Sequence, residues 1–383
     1  MSDKRIGTWP LKCCDSSLIS ICAGDAQAYD VQAEGNLKMS ETARSQPSAL
    51  PMPPYNVLTL ILGFWQSRAL AIAAELELAD LLADVPQSVE VLAERTMTHP
   101  PSLFRLMRAL ESIGYFTQVS PRVFANTASS ELLRKNVPGS QWALVRGTLS
   151  TGFGQYDSWA EILHSIQTGK TALQKVYGCE AWEFFNSKPE VWAVFNESMR
   201  SVNAAISPAV AQAYDWSRFS VVADIGGGIG SQLVAILDAH PSVRGILFDA
   251  PSVVAQAIPH DRTERVSGDF FKSVPVEADA YVLRSIIHDW AEPEALAILK
   301  NVRHAMKPPS RLVLIERVVP ETAELAPAKW LDLHMLAVAG GRERTAAEYQ
   351  ELYTKSGFDM EQIISTPAGA SLIIGLPQSS PNS

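Results

Sequence analysis

The sequence predicts an α/β protein: a Rossmann-like, doubly wound parallel sheet preceded by a mainly helical module with the order of a winged helix-turn-helix. Three observations carry this. After a helical stretch from about residue 142 to 214, short apolar runs alternate with helical patterns through residue 374, as in strands joined by crossover helices. The run Val221-Val222-Ala223-Asp224-Ile225 leads straight into Gly226-Gly227-Gly228-Ile229-Gly230, a buried strand entering a glycine-rich turn. Between residues 56 and 124, three helical patterns precede a short hairpin pattern.

Composition bounds the function classes. The chain has 383 residues, 47% of them hydrophobic, which allows two domains with a large core. A net charge of −9 argues against nucleic acid or an anionic membrane as the main partner. Cys13, Cys14, Cys22 and Cys179 form neither a metal spacing nor a disulfide framework, so the reducing cytoplasm is expected. No stretch is expected to approach the length of a membrane span.

Residues 1–54 lack periodicity, are rich in Ser, Ala, Gly and Pro, and read as a disordered tail. Apolar positions recur at helical spacing from 56 to about 82. A shorter helix is expected over 88–93 and a third over 100–110, followed by strands at 115–118 and 122–124. Only Arg105 and Arg108 are basic on the third helix, whose other face is Leu, Phe and Met. That composition suits packing better than a DNA groove, so residues 55–160 are expected to form a dimerisation module and residues 161–378 the catalytic domain. Late strands at 360–365 and 370–376 are expected to close the sheet as an antiparallel hairpin.

Glycines at 226, 228 and 230 let the backbone approach a ligand, and residues 231–239 have the spacing of the following helix. The dinucleotide fingerprint needs its third glycine one place later, where this chain has Ser231. The shorter spacing resembles motif I of S-adenosylmethionine-dependent methyltransferases. A second apolar run ends at Asp249, nineteen positions beyond Gly230, where a ribose-binding acid is expected. The run 264–271 is expected to bring Asp269 and Phe270 to an adenine ring at the end of the next strand.

The strand at 280–283 leads to His288, just past a carboxyl end that faces the same crevice. A phenol, with a pKa near ~10, is mostly protonated at neutral pH, so an imidazole that takes its proton would serve methyl transfer to oxygen. Neutral His288 then needs a carboxylate on its other nitrogen, and Glu316 and Glu343 are the two candidates. Asp289 either caps the helix beginning near Pro293 or touches ligand. The remaining histidines show no metal-ligand spacing, and no metal is expected.

The order D-I-G-G-G-I-G (224–230), F-D-A-P (248–251), G-D-F-F (268–271), L-R-S-I-I-H-D-W (283–290), E-R-V-V-P (316–320) and G-G-R-E-R-T (340–345) resembles the plant-type caffeic acid and hydroxyindole O-methyltransferase family. The resemblance covers about residues 56–376. It implies a winged-helix dimerisation domain before a Rossmann-like methyltransferase domain, a homodimer, S-adenosylmethionine as cofactor and no metal. It also implies His288 as base flanked by Glu316 and Glu343, Trp290 against the adenine, and Gly226, Gly228, Asp249, Asp269, Phe270 and Arg284 around the cofactor. Arg284 stands where plant members commonly carry lysine.

Trp192, Phe195 and Met199 on one helix and Met335 on another suit an aromatic acceptor, or are plain core. Two other functions stay open: a pericyclic enzyme that no longer transfers methyl groups, and a winged-helix DNA regulator with a cofactor sensor. Retention of His288, Glu316 and Glu343 favours methyl transfer, in secondary metabolism, to a small aromatic hydroxyl.

Overall fold

The computed structural model describes residues 56–274 and 277–378. The expected tail at 1–54, with Cys13, Cys14 and Cys22, lies outside the described residues. Helix α1 (Val57–Glu75) starts at Asn56, whose side chain accepts the Thr59 N–H at 2.9 Å as an N-cap. The single helix expected to about 82 breaks at Glu77, which takes φ 54°, and α2 (Leu78–Leu81) follows. The break turns Leu78 and Leu82 into the core. Strand β1 (Gln87–Ser88) leads into α3 (Val89–Thr96), capped by Ser88, and α4 (Pro100–Glu111) opens on two prolines that need no helical donor. Strands β2 (Thr117–Ser120) and β3 (Val123–Ala125) complete an antiparallel sheet of order β1-β3-β2. The first strand of the hairpin begins at 117, not 115, because Phe116 at φ 113° turns its ring into the core. Leu103, Met107 and Leu110 of α4 are buried there beside Leu92 and Phe124, so the apolar face of this helix is used for packing.

The expectation that no stretch approaches span length does not hold for α1. Its 19 residues have a mean hydropathy of 1.5 with only 17% of the window buried, long and apolar enough by length and composition to cross a bilayer. Val57, Leu58, Leu60, Phe64 and Trp65 all stand exposed on it. Its only charged residues are Arg68, which follows Gln66 and Ser67 inside the helix, and Glu75 at its end.

Seven helices follow: α5 (Ala128–Glu131), α6 (Trp142–Leu149), α7 (Gln155–Ala160), α8 (Ile162–Thr168), α9 (Ala172–Tyr177), α10 (Ala181–Ser187) and α11 (Pro189–Ala213). The catalytic sheet then runs β4 (Val221–Ile225), α12 (Ser231–Ala239), β5 (Arg244–Asp249), α13 (Pro251–Val254), β6 (Thr263–Ser267), β7 (Ala280–Arg284), α14 (Glu292–Ala305), β8 (Arg311–Glu316), α15 (Pro327–Val338), α16 (Ala346–Ser356), β9 (Phe358–Ser365) and β10 (Ser371–Pro377). Its order is β6-β5-β4-β7-β8-β10-β9, with the first five strands parallel and β10 antiparallel to both neighbours.

Strand alternation divides the core. Ala223, Ile225, Tyr281, Leu283, Leu312 and Leu314 face one helical layer, while Val222, Ala280, Val282, Val313 and Ile315 face the other. Both faces are covered, which is why these strands read as unbroken apolar runs. The parallel strands bring their carboxyl ends to one edge, and the order reverses between β4 and β7, where ligands of such sheets bind.

Candidate functional site

The turn after β4 is packed on one side and open on the other. A Cβ on Gly226 would stand 2.7 Å from Ile286 Cδ1, and one on Gly227 would stand 2.5 Å from the Asp224 carboxyl, so both positions exclude side chains. Gly228, at φ 61°, would meet nothing within 4 Å, leaving open space beside its backbone. Asp249, at the end of β5, reaches this turn: Oδ2 accepts the Gly228 N–H at 2.8 Å and Oδ1 the Ala250 N–H at 2.6 Å. Burial raises the Asp249 carboxyl above its ordinary value against those two donors.

Strand β6 ends at Ser267, short of the expected run, so Asp269 and Phe270 lie in the loop behind it. Asp269 Oδ1 accepts the Phe271 N–H at 2.9 Å and its Oδ2 meets Lys272 at 3.3 Å, which turns the carboxylate onto its own loop. Phe270, Phe271 and Trp290 form an edge-to-face cluster, with centroids 4.7 Å apart for Phe271 and Trp290. Asn301 holds this loop by donating to both the Phe270 and Phe271 carbonyls at 2.9 Å.

Arg284, at the end of β7, donates to Ser207 Oγ at 2.7 Å and to Gln232 Oε1 at 3.2 Å, while its Nη2 is buried without a partner. Both carboxyl oxygens of Asp224 are also buried and unpartnered. Burial, only partly offset by Arg284, pushes Asp224 up to about 7. An open glycine backbone, a ribose-height acid, flat rings and an orphaned guanidinium nitrogen suit a nucleoside joined to a charged tail. S-adenosylmethionine therefore fits these residues.

Across β7 lies the second cluster. His288 sits in a short 3₁₀ turn (Ile287–Asp289), fixed from three sides. Glu316 Oε1 accepts the Ile286 and Ile287 N–H groups at 3.2 and 2.9 Å, Arg342 N–H donates to the His288 carbonyl at 2.8 Å, and Arg344 Nη1 donates to the Ile287 carbonyl at 3.2 Å. A Cβ on Gly341 would lie 1.9 Å from the His288 carbonyl oxygen, so glycine is the residue that lets this loop close. Asp332 Oδ1 in turn accepts the Glu343 N–H at 2.9 Å.

His288 Nδ1 lies 2.7 Å from Glu343 Oε1 and 3.6 Å from Glu316 Oε2, and Nε2 lies 3.5 Å from Asp289 Oδ1. Asp289 does not cap the helix at 292: Ala291 holds the cap position without a side-chain bond, and the acid turns to the imidazole instead. Burial works against a charge on His288, yet Glu316, Asp289 and Glu343 outweigh it and raise the imidazole to about 10. The same burial raises Asp289 to about 6 and lifts Glu316 above its ordinary value. The imidazole, expected neutral and flanked by Glu316 and Glu343, thus stands among three carboxylates that favour its protonated form. One nitrogen and two carboxylates within 4.8 Å also match the spacing of metal ligands. The 2.7 Å contact suits a shared proton better, since two ligands on one tetrahedral zinc stand roughly 3.3 Å apart.

Trp192, Phe195 and Met199 lie half-buried on α11, and Met335 lies buried on α15. Phe195 stacks on Phe185 at 4.6 Å and meets Trp182 and Trp192 at 6.0 Å, a cluster into which Ala337 and Val338 of α15 pack. Sequence reasoning missed Asp224, Asp332, Arg344 and His334. Asp224 and Arg344 sit within the quoted motifs and Asp332 on the helix between two of them, but an acid in a strand or helix or an arginine in a turn carries no mark of burial.

The doubly wound sheet, with its glycine turn at the switch point and an acid-flanked histidine one strand away, defines the class of Rossmann-like S-adenosylmethionine-dependent methyltransferases. An O-methyltransferase domain profile matches residues 159–359, and an O-methyltransferase dimerisation domain profile matches residues 58–136. The chain belongs to this O-methyltransferase family and is an S-adenosylmethionine-dependent methyltransferase. It is 40% identical over 343 residues to a phenazine O-methyltransferase from Lysobacter antibioticus, covering 88% of this chain and 99% of that protein. It is 36% identical over 311 residues to an 8-amino-8-demethylriboflavin N,N-dimethyltransferase from Streptomyces davaonensis, covering 77% and 87%. The structure of human N-acetylserotonin methyltransferase in complex with S-adenosylmethionine superposes with a TM-score of 0.76 at 25% identity, covering 85% of this chain and 99% of that one.

Proposed function

We propose that the chain transfers the methyl group of S-adenosylmethionine to a hydroxyl on a small aromatic metabolite, with His288 as the group that takes the hydroxyl proton. The observation that carries this is the fully buried pair Glu316 and Glu343 converging on Nδ1, which leaves Nε2, 3.5 Å from Asp289 Oδ1 and so beyond a close hydrogen bond, as the nitrogen that can meet an acceptor. The bound cofactor supplies a methyl group on a positively charged sulfur. Gly226, Gly228 and Asp249 would hold its ribose end, Asp269, Phe270 and Trp290 its adenine, and the free Nη2 of Arg284 its tail carboxylate. As the acceptor oxygen takes that methyl group, its hydroxyl proton would pass to His288 Nε2. The acids around His288 raise its imidazole toward the range of a phenol, so it holds the hydroxyl proton more firmly than a free imidazole would. The imidazolium would then be held by the acids behind it, beside the methyl ether.

Both relatives named above act on fused-ring aromatics, which supports the same class of acceptor here, lined by Trp192, Phe195, Met199 and Met335. We place the domain division near residue 160, at the start of the O-methyltransferase domain match, and the working form as a cytoplasmic homodimer whose second copy covers the exposed face of α1. Calorimetric titration with S-adenosylhomocysteine tests the reading first, and absence of binding by folded protein sinks it. Methyl transfer to a panel of hydroxylated phenazines and naphthols, followed by S-adenosylhomocysteine release, tests the acceptor class. Amines of the same ring frames serve as the competing N-methylation arm.

A further inference from the structure

Helix α15 does more than carry Met335. Asp332, near its middle, fixes the backbone of Glu343, the acid on His288 Nδ1. Ala337 and Val338, at its end, pack into the aromatic cluster of Phe185, Phe195 and Trp182. His334 lies one helical turn before those two residues and therefore shares their face.

The environment of His334 fixes its chemistry. Its ring stacks against Trp159 of α7 with centroids 6.3 Å apart and planes at 22°, and Trp159 Nε1 donates to His334 Nδ1 at 2.9 Å. An indole N–H can only donate, so Nδ1 must be the bare nitrogen and the ring proton sits on Nε2. Burial pushes the imidazole down to about 4, and no acid opposes it. The ring is thus neutral in one tautomer across the working pH range. Among the described residues Nε2 has no hydrogen-bond partner, yet it is not among the fully occluded orphan atoms. The ring is largely desolvated, yet its one N–H stays open to solvent and so to a ligand on that side.

We propose that His334 is an acceptor-recognition residue, whose Nε2–H donates to a neutral lone pair, a carbonyl oxygen or ring nitrogen, on the aromatic molecule being methylated. The proposal rests on the methyl-transfer reading and deepens it: α15 holds the acid behind the base with Asp332 and reads the far side of the acceptor with His334. A fixed neutral donor suits an uncharged acceptor atom, whereas a carboxylate would call for a cation.

Three probes of one three-ring frame test it: 1-hydroxyphenazine with ring nitrogens, 1-hydroxyanthraquinone with ring carbonyls, and 1-hydroxyanthracene with neither. Their dissociation constants are measured on protein saturated with S-adenosylhomocysteine. Wild type should bind at least one lone-pair probe roughly 5- to 20-fold tighter than 1-hydroxyanthracene, the span of one hydrogen bond in a dry site. His334→Leu should remove that gap, His334→Gln should keep most of it, and both should bind S-adenosylhomocysteine as wild type does. Which lone-pair probe gains distinguishes nitrogen from carbonyl. An unchanged gap in His334→Leu, no gap in wild type, or no binding of any probe overturns the role of His334. Nitrogen chemical shifts of His334 at pH 7 give a second reading, and a proton on Nδ1 or on both nitrogens overturns it as well. Loss of S-adenosylhomocysteine binding by wild type would instead remove the parent reading.

Discussion

At His288 two opposed effects meet, and distance decides between them. Desolvation favours a bare imidazole, but three carboxylates at 2.7 to 3.6 Å win and hold the proton on. At pH 7 the protonated imidazole is then the favoured form. Turnover should therefore keep rising with pH toward 10, where a free histidine base would level off above about 6.5. A pH profile of kcat that is flat above 7 contradicts this. His288→Ala should lower turnover by roughly 10²- to 10⁴-fold with cofactor affinity nearly unchanged, and alkaline buffer, which supplies phenolate, should restore part of it. A variant turning over at the wild-type rate removes His288 from the chemistry. His288, Glu316 and Glu343 were legible as strand-end and turn residues within an ordered set of motifs. Asp289 was legible only as an ambiguity, because its choice between helix cap and imidazole depends on a chain direction that no local pattern specifies.

Secondary structure was legible wherever burial is two-sided. The four inner parallel strands β4, β5, β7 and β8 read as apolar runs because both faces are covered, and the glycine turn read as an open backbone because Gly228 has nothing near it. The break at Glu77 and the early end of β6 were not legible, since both are set by what the neighbouring segment packs against. Gly341 shows the same limit: it has no positive φ to explain it, and only the His288 carbonyl beside it does. Gly341→Ala should push the G-G-R-E-R-T loop off the 3₁₀ turn and cut kcat by well over tenfold, with S-adenosylhomocysteine binding kept, because β4 and β5 are untouched. Normal kcat in this variant would mean that the loop relaxes freely. On α1, Phe64 and Trp65 are 54% and 59% exposed in a helix the dimerisation profile covers. Changing both to glutamate should convert a dimer to a monomer in sedimentation velocity, because a second copy can no longer bury that face without burying charge. An unchanged sedimentation coefficient would place the interface elsewhere.

For the molecule as a whole, the buried charges make stability depend on pH in a definite direction. His288 is raised from 6.5 to about 10 in the folded chain, so its contribution is fully present below pH 6.5 and is lost as pH rises through 10. Asp224 is an acid raised from 3.8 to about 7, so the folded chain holds a proton there that the unfolded chain has released. Its effect runs the same way: stability falls as pH climbs from 4 to 7, and the cost of an unpaired buried carboxylate persists above that. Thermal unfolding of the cofactor-free protein should therefore occur several degrees lower at pH 9.5 than at pH 6.5. Asp224→Asn should raise the midpoint at pH 8 while changing it little at pH 4, because only the ionised form is penalised. His288→Ala should flatten the alkaline decline specifically, leaving the Asp224 limb in place. An unfolding midpoint independent of pH between 6.5 and 9.5 would show that water reaches His288 and relieves the acids around it, and the imidazolium assigned to the resting site would go with it.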